Sequence, residues 1–240
     1  MNRLEKLKAI ALRKLIHVVL SVFLIIPYIA NLSLIGLTTQ LYFTILMVSV
    51  AFIYVIQVKR PIITAMIMDV LVSARRTILQ QIMKTSPNLM SSFEALDEGL
   101  LRLERTMREL LDVVERDYER RGGYLGILMG IVGVLASNLI AGDYVFYGII
   151  SLIVYDTMSA LGGTLLGRVN LPFSNATMEG MLVGMASLFI ILFPLTGNLI
   201  SSLAITVAAA LAEAYGIEDN LTIPIVTSLM ALVLKTPIIP

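Results

Sequence analysis

The sequence predicts an all-α, polytopic membrane helix bundle of about seven transmembrane helices, with a cytoplasmic helical hairpin between the second and third spans. Three observations carry this. Only 15% of the 240 residues are charged, against roughly 25% in soluble domains. Mean hydropathy is +0.88. Seven segments approach the ~20 apolar residues that a spanning helix needs: 15–35, 40–58, 124–141, 144–161, 179–195, 199–215 and 221–237.

The charges are unevenly placed. Residues 1–14 hold 6, residues 59–121 hold 21, and the other 163 residues hold only 8: Asp143, Asp156, Arg168, Glu179, Glu213, Glu218, Asp219 and Lys235. Ionisable groups kept near a bilayer are costly, so these eight are the first candidates for function. The net charge of +1 argues against a nucleic-acid partner held by bulk electrostatics. With no cysteine and one histidine, disulfides, thiolate metal sites, cysteine nucleophiles and multi-histidine centres are excluded.

Three regions follow in order. Residues 1–58 form an amphipathic N-terminus and the first two spans. No A-x-A-like cleavage site follows the first apolar segment, which therefore reads as a span. Lysines and arginines at both ends of this region place the N-terminus and the 59–121 segment in the cytoplasm. In residues 59–121, Leu96, Leu100, Leu103, Met107, Leu110 and Val114 recur at heptad spacing. Ser91 and Glu94 form a candidate capping box before them. The seam serves either a self-packed antiparallel hairpin or a coiled coil joining a homodimer. Residues 122–240 form a five-helix core. Gly122, Gly126 and Gly130 repeat every four residues, a spacing that lets helices approach closely in lipid.

Counting spans forward puts Asp156, Glu179, Glu213, Glu218 and Asp219 at the cytoplasmic face, with Asp143 and Lys235 on the other side. Four constellations stand on that face. Arg13, Lys14 and His17 open the first span within about one helical turn, as a phosphate clamp or as a positive-inside anchor. Asp156 ends a span and leads through Gly163 and Gly167 to Arg168. A glycine-rich loop there brings backbone N–H groups to phosphates, and the acid can hold a divalent cation. Asn175 or Thr177 caps the next helix, whose free N–H groups attract anions, and Glu179 suits the dipole at that end. Glu213, Asp219 and Asn220 offer hard oxygen ligands of the kind Mg²⁺ takes. Basic phosphate binders, Mg²⁺-type acids and an apolar surround together suit transfer between a nucleotide and a lipid.

These residues resemble the CTP-dependent polyprenol kinase family, which includes dolichol and phytol kinases. They are more distantly similar to the membrane cytidylyltransferases that make CDP-lipids. Arg13, Lys14 and His17 match the family's Arg-Lys-x-x-His opening. Asp156, Gly163, Gly167 and Arg168 match its acid-led segment, with Tyr155 where the family has Gly. Pro172, Thr177, Glu179 and Gly180 match a third motif, in which Ala176 replaces the expected Lys. Glu213, Asp219, Asn220 and Pro224 match the last. The resemblance implies an integral membrane kinase with its active site at the cytoplasmic face. It would move the γ-phosphoryl group of CTP to the hydroxyl of a lipid alcohol in the bilayer. Arg13, Lys14, His17, Gly163, Gly167, Arg168, Asn175, Thr177 and Glu179 would then bind nucleotide. Asp156, Glu213, Asp219 and Asn220 would hold Mg²⁺, and Asp156 would organise the reaction as base or as metal ligand. The departure at Ala176 keeps two rivals: a cytidylyltransferase, and a catalytically inactive membrane scaffold.

Overall fold

The computed structural model describes residues 3–30, 32–59, 69–70, 72–74, 76–77, 97–99, 101–102, 105 and 125–238. The chain divides into two compact units: Met1–Phe52 with Tyr124–Pro240, and Ile53–Gly123. In the stretch between 60 and 124, every described residue is helical. The heptad seam and the capping box lie outside the described residues.

The described residues include seven α-helices of more than two turns: α1 (Arg3–Ile29), α2 (Thr39–Lys59), α3 (Leu125–Ala141), α4 (Val145–Leu166), α5 (Met178–Thr196), α6 (Leu199–Tyr215) and α7 (Asp219–Val233). They coincide in order with the seven apolar segments, and no strand occurs among the described residues. Three runs are long and apolar enough to cross a membrane: Thr39–Ile56, Leu125–Leu166 and Met178–Thr196. The second run is two helices, because the chain reverses at the 3₁₀ turn Gly142–Tyr144, where Gly142 takes a φ of 58°. Leu152 of α4 accordingly lies back against Gly130 of α3.

Four boundaries differ clearly from expectation. The first helix begins at Arg3 and not near 15, so the amphipathic N-terminus runs unbroken into the apolar segment. It stops at Ile29, and the chain turns through Leu32–Ile35 and Gly36 (φ 73°). The last helix ends at Val233 and not at 237, and Lys235 takes a φ of 49° beyond it. The difference that matters most for the site is in α4, which continues five residues past 161. Asp156 therefore sits inside a helix and does not end one.

Helix α4 is the hub of the first unit, touching α1, α3, α5, α6 and α7. Ten of its 22 residues are buried, among them Tyr147, Ile149, Leu152 and Tyr155. Glycine makes this crowding sterically feasible. A Cβ at Gly148 would stand 2.3 Å from Ser228 Oγ and 2.6 Å from the Pro224 carbonyl. One at Gly133 would meet the Leu221 carbonyl at 2.8 Å, and one at Gly180 would meet the Ser159 carbonyl at 2.7 Å. Backbones brought this close gain dispersion contacts that bulkier side chains would forbid. Gly130 behaves otherwise, because a Cβ there meets nothing closer than 3.8 Å. The tight approaches at Gly133, Gly148 and Gly180 thus contrast with the open space at Gly130. Helix α2 buries Phe43, and Tyr42 donates to the Phe23 carbonyl at 2.7 Å, while Leu41, Ile45, Val48 and Phe52 stay exposed.

Gly148→Ala should destabilise the bundle by about 1–3 kcal/mol through overpacking, whereas Gly130→Ala should cost far less. Reversible unfolding in mixed detergent micelles measures both, and equal losses would contradict this packing.

Candidate functional site

The lone charges of the apolar helices gather at one end of the first unit. Lys14 of α1 forms a buried ion pair with Asp156 of α4. Their residues are 3% and 4% exposed. His17, one turn further along α1, places Nδ1 4.0 Å from the second Asp156 oxygen. Ser159 of α4 donates to Glu213 Oε1 of α6 at 2.6 Å. Glu213 lies within electrostatic reach of Asp156, Asp219 and Lys14. At the opposite end, Tyr147 donates to the Pro237 carbonyl at 2.7 Å, and the Tyr28 and Phe146 rings meet edge-on. Asp143 and Lys235 belong to that end, roughly 20 Å from Asp156 at 1.5 Å per helical residue.

Two cavities flank α4 at the charged end. The first is an apolar crevice between α1, α2, α3 and α4. Val18, Leu46, Ile127, Ile131 and Leu152 line it, and His17, Asp156 and Asn220 supply its polar edge. Gly126 and Gly130 form part of its wall, so these glycines leave room there. The second is an open, polar groove of about 940 Å³. Ser159, Gly163, Asn175, Ala176, Thr177, Glu213 and Asp219 line it. Asp156 faces the crevice and Ser159 the groove, three residues apart on one helix. The hydroxyl-bearing and acidic groups of α4 thus separate an apolar space from a polar one.

The loop between α4 and α5 is shorter than expected and differently built. Residues 162–166 remain helical, and Gly167 N–H donates to the Gly163 carbonyl at 3.0 Å. Gly162 and Gly163 accommodate α5: added Cβ atoms would meet Val183 at 2.6 Å and Thr177 Oγ1 at 2.9 Å. The backbone of 162–166 therefore serves the helix and its contact with α5, and it makes no phosphate-cradling loop. Thr177 caps α5, accepting from Gly180 N–H at 3.2 Å. Glu179 folds back to accept from the N–H groups of Arg168 (3.0 Å) and Val169 (3.3 Å), closing the loop from below. Asp219 Oδ1 accepts from Asn220 N–H at 2.8 Å at the start of α7.

The sequence-derived residues are thus brought together only in part. His17, Asp156 and Asn220 line the apolar crevice, and Lys14 is held beside it through Asp156. Gly163, Asn175, Thr177, Glu213 and Asp219 line the groove. Arg168 is exposed and borders a separate recess with Glu179. Gly167 lies at the end of α4, and the Arg13 side chain is outside the described residues. Lys14, expected on phosphate, pairs with Asp156. Among the described residues, the groove lining contains Glu213 and Asp219 and no basic side chain. Ser159 was missed, although Tyr155 and Ser159 are one helical turn apart and mark a polar stripe on an otherwise apolar helix. Among the described residues, no group of three or more His, Asp or Glu side chains gathers to hold a metal unaided. Mg²⁺ usually takes one or two carboxylates plus substrate phosphates and water. Glu213 suits that donor set, because its Oε2 is buried without a hydrogen-bond partner.

No family model, curated protein or solved structure matches the chain.

Breaking a buried ion pair from one side strands the other charge, at a cost of about 3–5 kcal/mol. Lys14→Met and Asp156→Leu should each lower the unfolding temperature sharply. The double variant should recover most of the loss. Additive losses in detergent-solubilised protein would show that the two charges do not depend on each other.

Proposed function

We propose that the chain is a membrane-embedded lipid alcohol kinase. It moves the γ-phosphoryl group of CTP to the hydroxyl of a long-chain isoprenoid alcohol of the dolichol or polyprenol type, yielding a polyprenyl phosphate and CDP. The observation that carries this reading is the pair of cavities on either side of Asp156 and Ser159, one apolar and one polar. An amphiphilic acceptor needs the first for its chain, and a charged nucleotide needs the second. The nucleotide and the isoprenoid come from the motif resemblance, while the cavities support only a lipid and a polar co-substrate.

In this reading all seven helices span the bilayer. The N-terminus and the charged end face the cytoplasm, in keeping with the basic residues of 1–14 and at 59–60. The lipid tail lies along Gly126 and Gly130, and its hydroxyl reaches Asp156. Lys14 and His17 hold the Asp156 carboxylate toward the crevice. Glu213 and Asp219 would hold Mg²⁺ together with nucleotide oxygens. The ion supplies neutralisation of phosphate charge, which makes an acidic groove compatible with a triphosphate. The 59–121 segment serves as a cytoplasmic helical hairpin.

One observation favours a non-catalytic scaffold as the second reading. Ala176 stands in the groove wall where the resemblance expects Lys, and the described residues of the lining offer no other cation. Phosphate-neutralising groups contribute orders of magnitude to transfer.

These readings are tested by incubating membranes containing the chain with polyprenols or with lipid phosphates, and with CTP labelled in the γ- or the α-phosphate. A kinase transfers only the γ-label to lipid and releases CDP. Lipid labelling from the α-position with release of pyrophosphate would identify a cytidylyltransferase. No transfer from any nucleotide would leave the scaffold. Ala176→Lys should raise the kinase rate at least about tenfold by restoring a phosphate-facing cation. Gly126→Leu should fill the crevice and raise the KM for the alcohol while sparing that for CTP; an unchanged lipid KM would remove the crevice from the lipid path.

A further inference from the structure

Tyr155 occupies the position where the motif resemblance expects glycine, and the structure has made room for it. Its side chain is wholly buried. The opposing residue on α5 is Gly184, where a Cβ would stand 2.9 Å from the Tyr155 ring and 3.0 Å from Ser159 Cβ. Helix α5 thus closes over Tyr155 and Ser159 together. Both point to the same neighbour. Ser159 donates to Glu213 Oε1 at 2.6 Å, and the Tyr155 phenol lies beside the Glu213 carboxylate. The Tyr155 hydroxyl and Glu213 Oε2 are both buried, and neither has a hydrogen-bond partner. A buried phenol and a buried carboxylate oxygen each carry a penalty when unsatisfied, and a hydrogen bond between these neighbours would relieve both.

We infer that Tyr155 and Ser159 are positioning residues for Glu213. Ser159 fixes Oε1, and the Tyr155 hydroxyl holds Oε2 until a ligand group in the polar groove takes that oxygen over. Glu213 is then presented to the groove in one orientation, with one oxygen committed and one exchangeable. The role of Glu213 in turnover rests on the kinase reading, but the clamp itself does not.

The test therefore has two arms. In the first, ¹³C-glutamate infrared spectra of the full chain in lipid are compared with those of Glu213→Gln, which isolates the Glu213 carboxylate band. That band should move in Ser159→Ala and in Tyr155→Phe, the latter keeping the ring that packs on Gly184. A band unmoved in both variants overturns the clamp. In the second arm, kcat for the kinase reaction is measured as a double-mutant cycle. Ser159→Ala and Tyr155→Phe should each lower kcat about tenfold in the native background, with the lipid KM unchanged, and have little further effect in Glu213→Gln. Equal losses in both backgrounds would mean a merely structural role and also overturn the clamp. Bands that move in a chain transferring no phosphate would uphold the clamp and remove the kinase reading.

Discussion

A lysine and an aspartate hidden inside an apolar bundle are the constraint around which the first unit is arranged. Neither Lys14 nor Asp156 could stay ionised alone at this burial, since the desolvation cost of each is several kcal/mol. Their pairing couples α1 to α4, the helix that touches most of the others. It also fixes the depth of α1, because sliding that helix by one turn would strand both charges. His17 and the apolar residues that follow it are then held along the crevice, with Asp156 at its polar edge. Replacing such a pair with hydrophobic residues is often neutral or stabilising. Its presence in so apolar a chain therefore points to use and not to stability alone.

The second constraint is how closely the helices approach. Without a hydrophobic force between helices in lipid, packing rests on contact area and small residues. Gly133, Gly148, Gly162, Gly180 and Gly184 each bring a neighbouring helix to within a Cβ's reach of α4 or α7. That closeness lets short polar side chains meet across helices. Gly184 lets α5 lie against Tyr155 and Ser159, beside the bond from Ser159 to Glu213 of α6. The glycines thus build the polar site indirectly, by bringing helices together, and not by offering backbone N–H groups to a ligand.

This difference marks the limit of what was legible in the sequence. Hydropathy alone located all seven helices in order, since an apolar stretch of that length has few other fates. The gathering of Asp156, Glu213 and Asp219 at one end followed from counting alternations. The glycines after Asp156 were the weak point. A glycine that ends a helix and one that admits a neighbouring helix look alike in a single sequence. Only the arrival of Val183 and Thr177 decides that Gly162 and Gly163 are of the second kind. Ser159 was invisible for a related reason: a lone serine on an apolar helix gains meaning from Glu213, which lies 54 residues away. Lys14 was legible as a cation at a helix end, but its partner was not.

Charge balance joins these points. Among the described residues, the polar groove presents Glu213 and Asp219 and no basic side chain, while Lys14 is already matched by Asp156. An acidic groove repels a bare polyphosphate and attracts one that arrives with a divalent cation, so in the proposed kinase the metal would govern nucleotide entry as well as transfer. Ala176 sharpens the same logic, since a lysine there would supply in the wall the positive charge that now has to come with the ligand. In the proposed clamp, Tyr155 would act in the opposite sense, occupying one carboxylate oxygen until a ligand group takes its place. Both departures from the motif therefore bear on a single quantity, the negative charge that the groove offers to whatever enters it.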